Sequence, residues 1–110
     1  MLSEKDLIAI NNKFSNGNVM NENSLKYTIS QVKKTNSWIR QVAYLTKAIL
    51  CDHLFEDENK RLTAVVIIYY LDENRYDYDI DNINKLIIRI IKQNITKINK
   101  IERLIENVIK

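Results

Sequence analysis

LTAVVIIYYL, residues 62–71, is the stretch whose reading decides the fold. Four consecutive β-branched residues, Val65 to Ile68, suit a buried strand as well as a buried helix. A strand needs a partner, and no other segment offers one. The chain also has one Gly and no Pro, the residues on which hairpins and sandwiches depend at their turns. A run that is apolar on nearly all sides therefore predicts a helix buried all round, at the centre of an all-α domain. Thr63 interrupts the run, and its length is far below the ~20 residues a membrane span needs.

Working outward, the helical spacing recurs on both sides. Ser3 with Asp6 three residues on marks a helix start, followed by the apolar face Leu7, Ile8, Ile10 and Phe14, so a first helix is expected from Ser3 to Lys13. Ser15 to Asn18 holds the only glycine and predicts a bend. Asn23 and Ser24 are cap candidates for a short second helix carrying Leu25, Ile29 and Val32. From Ser37, the set Trp38, Ile39, Val42, Leu45, Ile49 and Leu50 predicts a third helix reaching His53. Beyond the apolar run, residues 72–79 read as a polar, tyrosine-studded connection. Asp81 can cap a helix with Ile83, Leu86, Ile87, Ile90 and Ile91, and Thr96 one with Ile98, Ile101, Ile105 and Val108. Residues 1–110 are expected to form a single domain, a compact bundle of about five to six helices.

The 110 residues carry 17 Lys or Arg against 14 Asp or Glu, a formal charge of +3 spread along the chain. Such a balance forces neither a nucleic-acid nor a membrane partner, and none is expected from it. A single Cys51 excludes a disulfide framework within the chain, and the N-terminal residues lack the order of a signal peptide, so a cytoplasmic location is expected.

One segment has the composition of a chemical site. His53-Leu54-Phe55-Glu56-Asp57-Glu58-Asn59-Lys60-Arg61 gathers the only His, three carboxylates, an amide and two cations between the two most apolar helices. The following helix begins near Asn59 or Lys60, so its free N–H groups and positive dipole end face whatever lies over the loop. His53 can accept a proton from a hydroxyl, Asp57 offers an oxygen to Mg²⁺, and Arg61 offers a fork to phosphate oxygens.

The order of these residues resembles the signature of the Fic/Doc family, H-x-F-x-[DE]-[GA]-N-[GK]-R, at His53, Phe55, Asp57, Asn59, Lys60 and Arg61. Chance would produce that pattern in a chain of this length on the order of once in 10⁵. LSEKDLIAINNKF at the start, Leu62-Thr63-Ala64 after the arginine, and YYLDENRYDYD are similar to death-on-curing (Doc) proteins, and Lys60 points to that branch. The resemblance implies a Fic/Doc-like helical bundle with the signature loop between its two central helices. It implies His53 as general base, Phe55 as the structural anchor of the loop, Asp57 as the Mg²⁺ ligand, and Asn59, Lys60 and Arg61 as the nucleotide phosphate-binding residues. The implied activity is transfer of a phosphoryl or AMP group from ATP to a protein hydroxyl, in the Doc branch on a translation elongation factor, restrained by a small antitoxin protein.

Two departures stand beside the resemblance. Glu58 occupies the place of the family's Gly or Ala, which puts a carboxylate in the turn that phosphates should approach. Only Lys33 to Ser37 separate the second and third helices, where the family carries a target-holding flap. The alternative is a catalytically degenerate Fic-like protein acting as a binding or regulatory module. Trp38 and the tyrosines at 69, 70, 76 and 78 are read as core or boundary residues, and Cys51 as a buried structural thiol.

Overall fold

Six helices form because each begins at a residue that leaves the helical backbone and covers one apolar stripe. A computed structural model describes residues 1–109. The helices are α1 (Glu4–Asn12), α2 (Glu22–Lys34), α3 (Trp38–Cys51), α4 (Asn59–Glu73), α5 (Ile80–Lys92) and α6 (Ile98–Glu106). The protein is all-α, and the one β feature among the described residues is an isolated antiparallel bridge between Val19 and Phe55.

Helix α3 is the hub, packing against α2, α4 and α6, and α4 adds contacts to α1 and α5. Residues 62–71 are helical, and Leu62, Val66, Ile67 and Leu71 are fully buried, but the helix is not buried all round, because Ala64, Val65, Ile68 and Tyr69 form a partly exposed side. Each fully buried side chain stabilises the fold by about 1.5–3 kcal/mol relative to exposure. Ile83, Leu86, Ile87 and Ile90 are the buried stripe of α5, and Ile101, Leu104 and Ile105 that of α6. They close the core from the side opposite α2.

The caps show where local signals were ambiguous. Ser3 and Asp6 form a reciprocal capping box on α1, and Ser37 caps α3 through the Arg40 N–H. For α2 the cap is Asn21, which accepts from the Ser24 N–H, two residues before the expected Asn23–Ser24 pair. For α5 it is Asp79, accepting from the Asp81 N–H. Helix α6 starts after Lys97 with no side-chain cap, not at Thr96. The preceding turn takes up those residues: Asn94 sits at φ 48°, and the Ile95 N–H reaches back to the Ile90 carbonyl, which buries Ile95. This is the six-to-one bond of a Schellman ending, with asparagine supplying the left-handed residue. Arg75, at φ 61°, ends α4 by the same pattern, with the Tyr76 N–H on the Leu71 carbonyl.

Trp38 is half-buried rather than core and lies 5.6 Å from the ring of Tyr76, which is exposed, while Tyr70 is buried and Tyr69 and Tyr78 lie at the boundary. Cys51 is half-buried, its thiol donating to the Ile95 carbonyl at 3.3 Å. Burial, with the Asp52 carboxylate beside it, pushes that thiol's pKa up, away from nucleophilic chemistry. Among the described residues no helix is long and apolar enough to cross a membrane.

Phe55 is the largest fully buried side chain, although it lies in a loop between helices. Phe55→Ala is expected to destabilise the protein by about 3–5 kcal/mol through lost burial and a residual cavity. Denaturant unfolding of the two proteins measures it, and an unchanged midpoint would mean that the ring does not hold the loop to the core.

Candidate functional site

The connection between α3 and α4 is bent by two left-handed residues that are not glycine. Asp52 is the C-cap of α3, and His53 turns the chain at φ 48°. Glu58 is the N-cap of α4 at φ 63° and makes no side-chain cap bond. A left-handed conformation costs an L-residue roughly 1–2 kcal/mol, so the surrounding contacts must over-determine the loop.

Those contacts come from a set of asparagines. Asn59 closes the loop on itself: its Oδ1 accepts from the Phe55 N–H at 3.1 Å and its Nδ2 donates to the Phe55 carbonyl at 2.9 Å. Asn11, a fully buried amide on α1, donates from Nδ2 to the Asp57 carbonyl at 3.0 Å and accepts from the Gly17 N–H at 3.0 Å. Gly17 needs its freedom, because it sits at φ 69° with Asn12 Cβ only 3.3 Å from where a side chain would begin. From there residues 18–20 run antiparallel to the loop. The Met20 N–H donates to the Leu54 carbonyl and the Glu56 N–H to the Asn18 carbonyl.

The loop's entrance is fastened by Asp52. Its carboxylate accepts from Ser24 Oγ at 2.6 Å and pairs with Lys47 Nζ at 3.0 Å, while Asn21 Nδ2 donates to its carbonyl. Glu56, fully exposed, accepts from the amides of Asn18 and Asn16. These two bonds hold its carboxyl below the usual carboxylate range.

What the frame presents to solvent is an open depression of about 420 Å³. His53, Glu56, Asp57, Glu58, Asn59 and Lys60 line it, with Leu50 and Ile91 as its apolar walls. Phe55 lies beneath, in the core. Arg61 faces elsewhere: its guanidinium stacks over Phe14, 4.7 Å from the ring centre, beside a neighbouring depression that it shares with Lys60 and Ile88. The structure thus gathers five of the sequence-predicted site residues in one place and puts Arg61 on an adjacent face of α4.

At the floor of the depression lies the amino end of α4. The Leu62 N–H is taken by the Glu58 carbonyl, and the N–H groups of Asn59, Lys60 and Arg61 make no intramolecular bond. Unsatisfied N–H groups at a helix start are donors for an anion. Among the described residues no three His, Cys, Asp or Glu side chains cluster to cage a metal ion. Mg²⁺ does not require a cage, since it is usually held by one or two carboxylates, waters and phosphate oxygens. Asp57 uses Oδ1 on the Glu58 N–H at 2.9 Å and keeps Oδ2 unbonded, and Glu58 lines the same depression, so this donor pair fits that role.

Asn11, Asn16, Asn18 and Asn21 escaped sequence reasoning. Only Asn11 carried a signal, because it falls on the apolar face between Leu7 and Phe14, where an amide is expected to be bonded within the core.

Asn59 serves the loop before it serves any ligand, since only one of its N–H groups and one lone pair remain. Asn59→Ala is expected to cost about 2–3 kcal/mol, because it strips both partners from the Phe55 backbone. It should also speed exchange of the Phe55 amide hydrogen with solvent. Unchanged stability and exchange would show that the clamp does not shape the loop. No family model, no curated protein and no solved structure matches this chain.

Proposed function

We propose that this protein is a Fic/Doc-type transferase that uses Mg·ATP to modify a hydroxyl of a protein target. The observation that carries the reading is the convergence of His53, Asp57 and Lys60 on one depression floored by the uncapped start of α4. Left-handed Glu58 supports it from another direction: the signature has Gly or Ala there, and glycine is the residue that φ 63° favours.

In this mechanism His53 Nδ1 or Nε2 takes the proton of the target hydroxyl as its oxygen attacks phosphorus. The bond to the leaving phosphate oxygen breaks, and the charge that builds there is met by the N–H groups of residues 59–61 and by Lys60. Bound Mg·ATP supplies the electrophilic phosphorus and a cation that neutralises its oxygens. Asp57, with Glu58 beside it, would hold that cation. Arg61 reaches phosphate only by leaving Phe14, a contact of roughly 0.5–1 kcal/mol at an exposed site. In keeping with the Doc branch, the target is a translation elongation factor and the cell restrains the enzyme with a small cytoplasmic antitoxin. Phosphoryl and AMP transfer use the same groups, and the mass added to the target distinguishes them.

A second reading, a partner- or nucleotide-binding module without chemistry, is favoured by one observation: the Glu58 carboxylate lines the depression that phosphates must enter.

Two variants separate the readings. His53→Ala is expected to slow modification of the target by about 10²–10⁴-fold with the fold retained, as followed by intact mass after incubation with Mg·ATP. If wild type and variant leave the target equally unmodified, the transferase reading fails. Glu58→Gly is then informative by calorimetry. On the enzyme reading it leaves Mg·ATP affinity unchanged or weakens it, because Glu58 helps hold the metal. On the binding-module reading it strengthens affinity tenfold or more by removing the repelling charge.

A further inference from the structure

The +3 charge is not evenly spread along the chain, as the whole-sequence balance suggested, but is concentrated in its last third. Residues 80–110 contain seven Lys or Arg and three Asp or Glu, whereas residues 1–79 contain ten and eleven. The excess therefore belongs to α5, α6 and the turn between them. One of the three acids, Glu102, is turned away and neutralised by Arg40 at 2.8 Å.

On the face shared by α5 and α6 lie two adjoining depressions of about 810 and 260 Å³, which have Arg89, Leu104 and Asn107 in common and so form one groove. Its cations are Lys85 and Arg89 from α5, and Lys97, Lys100 and Arg103 from the start and exposed side of α6. Among the described residues no carboxylate lines either half. Along each helix the cations recur at three- or four-residue spacing, which sets neighbours roughly 5–6 Å apart in one row. Among the described residues none of the five is in an ion pair, and Arg89 alone has a side-chain partner, Gln93, at 3.5 Å. Bringing five like charges together disfavours the free protein, and an anionic occupant relieves that repulsion.

The chemistry of the walls selects the occupant. Leu86, Leu104 and Val108 are already buried and Ile98 alone of the apolar lining is partly exposed, so an amphipathic acidic helix would find little apolar surface to cover. No aromatic side chain lines the groove, which removes the stacking platform that single-stranded bases need. What remains is a row of cations flanked by Asn82 and Asn107, whose amides both donate and accept, and by Asn99, whose Oδ1 is taken by Arg40 at 3.0 Å and whose amide N–H groups remain as donors. That combination suits phosphates together with 2′-hydroxyls, which themselves donate and accept and which distinguish RNA from DNA. We infer that the α5–α6 groove is a docking surface for the sugar–phosphate backbone of duplex RNA, read by shape and charge without base contacts. It is lined by none of the residues around the His53 depression, and it stands whether or not the transferase reading does.

The test is fluorescence anisotropy of a labelled 20-base-pair RNA duplex with the whole protein, over a range of salt. The wild type is expected to bind with a negative dependence of log affinity on log salt. Lys100→Glu with Arg103→Glu should weaken binding at least tenfold and flatten the salt slope by about two. Both residues are exposed, and circular dichroism checks that the fold is kept. Lys33→Glu with Lys34→Glu on α2 changes net charge equally and should leave at least most of the affinity, which separates the groove from overall charge. The inference is overturned if the wild type does not bind at low salt, or if the α2 and α6 variants lose affinity equally. Equal or tighter binding of a DNA duplex of the same sequence, or of polyglutamate, would overturn it as well.

Discussion

The bonding of Phe55 is the constraint on which the site depends. Its ring is the largest fully buried side chain, yet it belongs to a loop whose backbone has no helix to satisfy it. Burying such a residue is favourable only if its N–H and carbonyl find partners, since each unpaired group costs about 1–3 kcal/mol. One side chain, Asn59, meets both needs, and because Asn59 is also the first residue of α4, the same two bonds fix where that helix begins. That closure sets the left-handed turn at Glu58 and the start of α4, while Asp52 fastens the turn at His53. The strand-like segment 18–20 and buried Asn11 then hold the loop from the other side.

The architecture was legible because hydrophobic periodicity is written over whole helices. Ile83, Leu86, Ile87 and Ile90 in one segment, and Ile101, Leu104 and Ile105 in another, each specify one buried stripe and tolerate an error of a residue at either end, whereas residues 62–71 were assigned by the absence of a partner strand. Helix boundaries were less legible, for a physical reason visible at Asn21 and Asp79. Asn21, Asn23 and Ser24 are equally competent caps by type. The choice falls to Asn21, whose amide also reaches the Asp52 carbonyl 31 residues away. No local pattern encodes that second bond. Likewise the buried Ile95 requires the turn that displaces the start of α6 past Thr96.

The candidate site divides along the same line. Residue types and their order nominated the loop, and the fold brings His53, Asp57, Glu58, Asn59 and Lys60 to one depression. Two things required three dimensions. Arg61 follows Lys60 by only one residue, but on a helix that step is a rotation of ~100°, which carries it over to Phe14. The basic groove was invisible for the opposite reason: Lys85 and Arg103 are 18 residues apart in sequence, and only the packing of α5 against α6 puts them on one face. The protein therefore presents an acid-rich depression at one helix start and a purely cationic groove elsewhere, two surfaces with different demands on a ligand.

The account stands or falls on whether polyphosphate meets the amino end of α4. The most direct measurement is a titration of the isotope-labelled protein with Mg·ATP, following each backbone amide by NMR. The expected result is a saturable shift of the Asn59, Lys60 and Arg61 amides together with those of His53 and Asp57, with little change along α2. Shifts confined to other surfaces, or none at millimolar nucleotide, would contradict it.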